Sequence, residues 1–414
     1  MADGDDVRAA APDRMSLVPP EGRIVSLDAL RGFAPLGILI ANMPAFGQPW
    51  AAADAGLDLF PGRYDRAADW LIQSLVVGKF NAIFSFLFGV GFALQMERAD
   101  ARGGGLAVYY RRIASLFLVG IAHYVLLWNG DILHSYAILG LALPLVRWSR
   151  LLDAVLVVIA CLLLTGELTH RYAALMLELP SSMGDVDPAS RSAAQARLFE
   201  QGSYGEQVSY RWRELIRTHL GESAYWWSLC NYGGTMLLGY VAGRRGLFRD
   251  AGRHAATFRR LAVGGLLLGF ACGVVFATGI RSIDRTVVTP WRVLVGLTFI
   301  LNRLSLVAAY VGGIVLLCRG DRGRRCLRPL AAVGRMPLTN YILQTVACTT
   351  ILYSYGLGLH GRLGPLTATS LALVIYAVQV ALSVLWMARY RFGPLEWAWR
   401  AVSYGRFPGL ASGG

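Results

Sequence analysis

The chain has 414 residues and a mass of 45.1 kDa, with 55% hydrophobic and 16% charged residues and a mean hydropathy of +0.46. Soluble domains carry about 45–50% apolar and about 25% charged residues, so this composition points to a membrane protein and excludes disorder, a collagenous chain and a disulfide-stapled secreted module. The net charge is +14 and 39 of the 40 cations are arginine, the exception being Lys79; such an excess signals nucleic acid only as a patch on a soluble face, so its placement decides its meaning.

Residues 1–22 carry Asp3, Asp5, Asp6 and Asp13. That is the wrong sign for a signal-peptide n-region, and a disordered cytoplasmic leader is expected. Ten apolar stretches follow, at about 26–46, 70–95, 113–128, 131–148, 151–166, 223–243, 260–280, 291–318, 329–353 and 369–388. About 20 residues, rising about 1.5 Å each, cross a hydrocarbon core of roughly 30 Å. Lipid offers the backbone no hydrogen-bond partners, so the stretches must be helical, and the alternation of a β-barrel is absent. The expected fold is all-α, a polytopic bundle of about ten transmembrane helices. The stretch 70–95 reads either as one span or as an interfacial helix followed by a span.

Placing the first 25 residues in the cytoplasm puts 24 of the arginines in inside segments and 6 in the short outside loops. That bias implies both termini inside, in the bacterial inner membrane, with the basic loops meeting anionic lipid. Three blocks follow from the pattern: N-terminal helices over 23–166, an outer loop over 167–222, and a C-terminal domain over 223–405 with a short tail at 406–414. Within the loop, residues 210–220 (YRWRELIRTHL) read as an amphipathic surface helix, either a plain lid or a substrate-binding element. The triglycine at 103–105 is a turn without the Lys-Ser/Thr of a phosphate loop, and no CxxC or Cys/His spacing indicates a disulfide framework or a metal site.

Ionisable groups inside spans are costly, and each is a candidate for function or for a helix-to-helix staple. Asp28 and Arg31 open the first span on one helical face, where they pair or bind an anion; Ser26 is placed to cap that helix. Lys79 is either a deep cation in need of an anion or an interfacial anchor that snorkels. His123 ends the third span, Asp131 sits beyond the Asn129-Gly130 turn, and His134 opens the fourth. A histidine oriented by a carboxylate can serve as general base, and a hydrogen-bonded structural histidine is the alternative. Arg303, beside Asn302, lies too deep to snorkel and should face a polar interior or an anion. Arg335 opens the ninth span with the planar fork that suits phosphate or carboxylate, and Asn340, Tyr341 and Gln344 add hydrogen-bonding capacity.

These segments also carry a family resemblance. RIVSLDALRGFAPLGILIANM, GKFNAIFSFLFGVGFALQ and YYRRIASLFLVGIAHYVLLWNGDILHSYAILG resemble the N-terminal half of the YeiB-like bacterial membrane proteins. GRMPLTNYILQ and RFGPLEWAWRAVSYG resemble the C-terminal domain of unknown function that defines that family. The likeness runs in order over most of 23–405. It extends to a transmembrane acyltransferase superfamily that includes the heparan-alpha-glucosaminide acetyltransferases, whose first span opens with a similar Asp-x-x-Arg-Gly, matched here by Asp28, Arg31 and Gly32. The resemblance implies a cytoplasmic acyl-coenzyme A co-substrate, no metal, and a hydroxyl or amine acceptor on a small molecule, lipid or sugar. The expected partners are that acceptor and membrane lipids, with a homodimer allowed and no nucleic acid. Those relatives place their catalytic histidine outside, soon after the first span, whereas residues 42–70 here contain none. Either His123 or His134 takes that role, or the chemistry uses no histidine, or the chain is no acetyltransferase.

Combining the two lines, Asp131 would orient His123 or His134 as base, and Arg335, Arg31 and Arg303 would hold the anionic donor. Asn302, Asn340 or Lys79 would face the oxyanion. The rivals are a transporter of an anionic small molecule, with Arg303 and Lys79 lining its path, and a non-catalytic envelope scaffold.

Overall fold

The computed structural model describes residues 24–48, 59–101, 106–148, 152–176, 188–221, 223–283, 289–405 and 407–410; the 1–22 leader and the turn at 103–105 fall outside them. All ten apolar stretches are helical where described. The helices are α1 (Val25–Gly47), α2 (Arg63–Leu75), α3 (Lys79–Ala101), α4 (Ala107–Leu126), α5 (Leu133–Trp148), α6 (Asp153–Met176), α7 (Pro188–Gln201), α8 (Tyr204–Gly221), α9 (Ser223–Arg244), α10 (Ala255–Gly279), α11 (Pro290–Leu317), α12 (Asp321–Gly334), α13 (Pro337–Leu352), α14 (Pro365–Arg389) and α15 (Pro394–Tyr404). No strand occurs among the described residues. Among the described residues, five stretches are long and apolar enough to cross a membrane: Val25–Gly47, Arg63–Ala101, Ala255–Gly279, Pro290–Leu317 and Pro365–Arg389; Leu133–Arg147 and Asp153–Gly166 are shorter apolar helices. The chain is therefore a multi-pass membrane protein.

Helix α1 is central and packs against α3, α11, α12, α13 and α14, while α10 pairs with α11 and α9 with α3 and α6. Its contact with α12 is backbone to backbone: a Cβ on Gly32 would collide with the Leu330 carbonyl, and one on Gly334 with the Asp28 carbonyl. Small residues allow this approach, which drives helix association where lipid removes the hydrophobic incentive. On the outside, Leu267 and Phe270 of α10 and Val374 and Leu385 of α14 are exposed, an apolar surface suited to lipid.

Two expected spans are interrupted, and in both the protein satisfies the freed backbone groups. The 70–95 stretch is not one helix. It breaks at residues 76–78, where Gly78 adopts φ +79°, and resumes as α3. The last carbonyls of α2 are taken by side chains from elsewhere: Lys79 Nζ donates to Gln73 O at 2.8 Å, Asn302 Nδ2 to Ser74 O at 3.0 Å and Tyr310 Oη to Leu75 O at 2.9 Å. Lys79 is buried, so it does not snorkel; it completes a helix terminus. The 329–353 stretch breaks after Gly334, where Pro337 starts α13 at a position that needs no N–H. The next donors, Leu338 N and Thr339 N, reach Glu396 Oε1 of α15 at 2.6 and 3.0 Å, and Thr339 Oγ1 reaches Oε2 at 2.6 Å. Burial raises the Glu396 carboxyl above the usual carboxylate range, against the lowering effect of the Thr339 hydroxyl and the backbone donors.

The amphipathic segment forms α8, which lies over the end of α4. Arg211 Nε and Nη2 donate to Val125 O and Leu126 O at 2.8 and 3.1 Å, and Tyr204 Oη adds a bond to Leu126 O at 2.9 Å. These cap the C-terminal carbonyls of α4. Helix α6 runs to Met176, beyond the 166 boundary expected for its span.

Candidate functional site

The end of α4 meets the start of α5 at Gly120, where any Cβ would strike the His134 backbone. This close approach brings together three groups that the sequence singles out. His123 Nδ1 lies 2.8 Å from Asp131 Oδ1 and His134 Nδ1 lies 2.6 Å from Asp131 Oδ2, with the His134 backbone N–H donating to Oδ2 at 3.0 Å. All three side chains are buried.

Two further groups, absent from the sequence expectations, extend the cluster. Thr345 Oγ1 of α13 lies 2.9 Å from His123 Nε2. His219 Nε2 of α8 lies 3.0 Å from His134 Nε2, and its Nδ1 faces the Leu215 carbonyl at 2.7 Å. Ser135 Oγ bridges His134 Nε2 and Tyr225 Oη at 3.2 Å each, and the Tyr341 ring packs 5.0 Å from that of His123.

Hydrogen-bond bookkeeping assigns the protons. A carboxylate only accepts, so with Asp131 ionised both Nδ1 atoms facing it carry a proton. A carbonyl only accepts, so His219 Nδ1 carries one too. Burial, with the neighbouring His134 adding to it, lowers the His219 pKa against the raising effect of the Leu215 carbonyl. Thr345 Oγ1, 2.9 Å from His123 Nε2, also donates to the Tyr341 carbonyl at 3.3 Å. The arrangement is hydroxyl, imidazole and carboxylate in line, the order that activates an O–H for attack.

Arg31, Arg303 and Arg335, expected to hold a donor, and Lys79, Asn302 and Asn340, expected to face the oxyanion, are distributed over separate parts of the bundle. Asp28 Oδ1 pairs with Arg31 Nη1 at 3.2 Å, and Arg335 closes α12 beside them, its N–H bonded to Ala331 O at 3.1 Å. Ser26 does not cap α1: the N-cap is Ile24, with no side-chain bond. Arg303 faces a polar partner inside the bundle, donating to Asn231 Oδ1, and stands 5.6 Å from the Phe299 ring centroid, where Lys79 Nζ lies at 5.9 Å. Asn302 and Asn340 are not placed as oxyanion donors. The Asn302 amide is spent on Ser74 O and Gly269 O, and that of Asn340 on Met336 O at 3.0 Å and Ser383 Oγ at 3.1 Å. Among the described residues no group of three or more His, Cys, Asp or Glu is arranged to hold a metal.

The sequence expectations also passed over Glu396, although its position two residues after Pro394, in a helix beginning Gly-Pro, marked a first-turn acid. His219 lay inside the recognised amphipathic stretch without distinction, and nothing local marks Thr345.

Comparison with known proteins places these features in a family. Residues 242–406 match a family model described as a protein of unknown function (DUF418). The chain is 30% identical over 399 residues to uncharacterized protein YxaH of Bacillus subtilis (strain 168), covering 92% of this chain and 94% of that protein. It is 31% identical over 400 residues to uncharacterized protein YeiB of Escherichia coli (strain K12), covering 92% and 96%. An uncharacterized 39.9 kDa protein in the amylase 3' region of Bacillus acidopullulyticus is 30% identical over 396 residues, covering 95% and 98%. This chain accordingly belongs to the YeiB-like family of bacterial membrane proteins that carry the DUF418 domain.

Proposed function

We propose that the chain is an integral inner-membrane acyltransferase, crossing the bilayer ten times with both termini in the cytoplasm. It moves an acyl group from an acyl-coenzyme A donor to a hydroxyl or amine. The observation that carries this is the Thr345–His123–Asp131 alignment: a buried imidazole, held through Nδ1 by a carboxylate, has its other nitrogen 2.9 Å from a hydroxyl. Thr345 Oγ1 marks where an acceptor oxygen would sit. In the step, His123 Nε2 takes the acceptor's proton as its oxygen attacks the thioester carbonyl. Asp131 stabilises the imidazolium, the carbon–sulfur bond breaks, and the proton passes to the leaving thiolate. Movement of α8, which lies over this end of α4, would admit the acceptor. Incubating the purified protein with labelled acetyl-coenzyme A and cell-envelope extract should label an envelope component, and His123→Gln should abolish the transfer with the fold retained. No transfer to any component would refute the proposal.

A transporter of an anionic small molecule is favoured by one observation, the two buried cations Lys79 and Arg303 sharing the Phe299 ring. Against it, the broken-helix ends that transporters use for ions are here taken up by Lys79, Asn302, Tyr310 and Glu396. Uptake or efflux in proteoliposomes without any acylated product would decide for the transporter.

A further inference from the structure

Helix α12 lies across one end of the bundle. It begins four residues after α11 ends at Leu317, and its last residue, Gly334, meets the Asp28 backbone in the first turn of α1. Residues 319–328 carry five arginines, Arg319, Arg322, Arg324, Arg325 and Arg328, against one acid, Asp321, and all five are exposed. Arg324 is held at the end of α11, where its Nε donates to Cys318 O at 2.6 Å. Arg324 and Arg328 are one turn apart, so they share one flank of α12, next to Leu327.

Leu327 also lines a groove. About 320 Å³ of space runs between α1, α11 and α12, walled by Phe33, Tyr310, Gly313, Leu317, Leu327 and Leu330 together with smaller apolar contributions. The wall carries no charge, and the Tyr310 hydroxyl is engaged by Leu75 O at 2.9 Å, which leaves the ring as its contribution. Gly313 keeps the groove open, since a Cβ there would meet nothing within 4 Å. Leu317 is 57% exposed, so the groove is reached from outside the bundle.

An apolar groove and a row of exposed cations on one helix match one class of ligand. A neutral hydrocarbon chain engages only the groove, and a soluble anion engages only the arginines. A phospholipid with an anionic headgroup engages both, because its chain fills the apolar space while planar guanidinium forks bond its phosphate. We propose that α1, α11 and α12 form a binding site for one anionic phospholipid, with a chain lying along Gly313 and the headgroup at Arg324 and Arg328. Diffuse attraction of basic loops to an anionic surface needs no groove, whereas a bound lipid needs both parts. The site does not depend on the acyl-transfer proposal.

The full chain in nanodiscs of equimolar phosphatidylglycerol and phosphatidylcholine tests it, with retained lipid counted by native mass spectrometry. Wild type should retain phosphatidylglycerol over phosphatidylcholine by about tenfold, the scale expected of two arginines facing an anionic headgroup. Gly313→Leu fills the groove, leaves every charge in place and introduces a better helix former. It should remain folded by circular dichroism and lose most of that preference. Arg324→Gln combined with Arg328→Gln should bring the two lipids to nearly equal retention. Wild-type selectivity persisting in Gly313→Leu would reduce the effect to diffuse surface attraction and overturn the site. Undiminished selectivity in the double arginine variant, whose exposed side chains can be changed without unfolding the chain, would overturn it as well. So would equal retention of both lipids by wild type, or a co-purifying polypeptide, in place of lipid, that Gly313→Leu displaces.

Discussion

At the Leu126 end of α4, one carboxylate faces two imidazole N–H groups, and a third histidine and a threonine hydroxyl complete a set in which each donor meets an acceptor. At the Ala107 end, Arg112 donates to Gln95 Oε1 and stacks on Trp399, while the acids of α3 pair with arginines from other helices, Glu97 with Arg249 and Asp100 with Arg147. The first is a set of titratable side chains from separate helices bonded to one another; the second is held by a hydrogen bond, a ring contact and ion pairs between helices. The difference separates a site fit for proton transfer, as proposed above, from contacts that tie helices together.

The largest effect should come from the histidine end. His123→Gln is expected to lower acyl transfer by about 10²–10⁴-fold, and Arg112→Gln, outside that set, by far less; initial rates at saturating donor measure both, and equal losses would erase the division.

Stability should divide along the same line. Asp131→Ala strands two buried imidazoles and should cost about 3–5 kcal/mol, read as a large fall in melting temperature. Arg400→Gln, at the more accessible end, should stay within about 1 kcal/mol.

Acid should also act on one end only. His360, buried in the loop beside Phe199 and Tyr353, is lowered by burial to about 4, and His219 is lowered as well. The folded state keeps both neutral while the unfolded chain takes up protons from about pH 6.5 downward. Their contribution is thus complete above that pH and lost as pH falls; for His360 it is on the order of 3 kcal/mol by pH 4. Melting temperatures from pH 7 to 4.5 should fall, less steeply in His360→Phe and in His219→Gln. Arg112→Gln should run parallel to wild type. The smallest expected effect is the coupling between the ends: Asp131→Asn and Arg112→Gln should add to within about 0.5 kcal/mol, since no contact is shared across the length of α4.

Much of this molecule could be read from local pattern. Apolar stretches of span length in a chain poor in charge dictate helices, because lipid satisfies no backbone group. The nearness of His123, Asp131 and His134 is local too, set by a two-residue turn between adjacent helices, and the pairing of Asp28 with Arg31 is a single-turn spacing. Hydropathy, however, registers apolarity and not continuity. The break at Gly78 was one of two readings of the 70–95 stretch and the break before Pro337 was not foreseen, since whether a helix can stop inside a largely apolar run depends on who accepts its loose ends. Asn302 is 228 residues from Ser74 and Glu396 is 57 from Thr339. Lys79 could be judged a deep ion or a surface anchor from its position in the chain, but only the packing turned it into a cap.

The functional partners follow the same division. Thr345 reaches His123 across 222 residues and His219 reaches His134 across 85, and neither carries a local mark. The sequence by itself determined that this is a helical membrane protein of the YeiB-like family, with an acid between two histidines at one turn. Tertiary structure alone decided which hydroxyl faces His123, which histidine meets His134, and which side chains close the broken helix ends. Those outcomes depend on hydrogen bonds and charges between helices distant in the chain. No periodicity along one segment encodes them, because each requires two surfaces to meet.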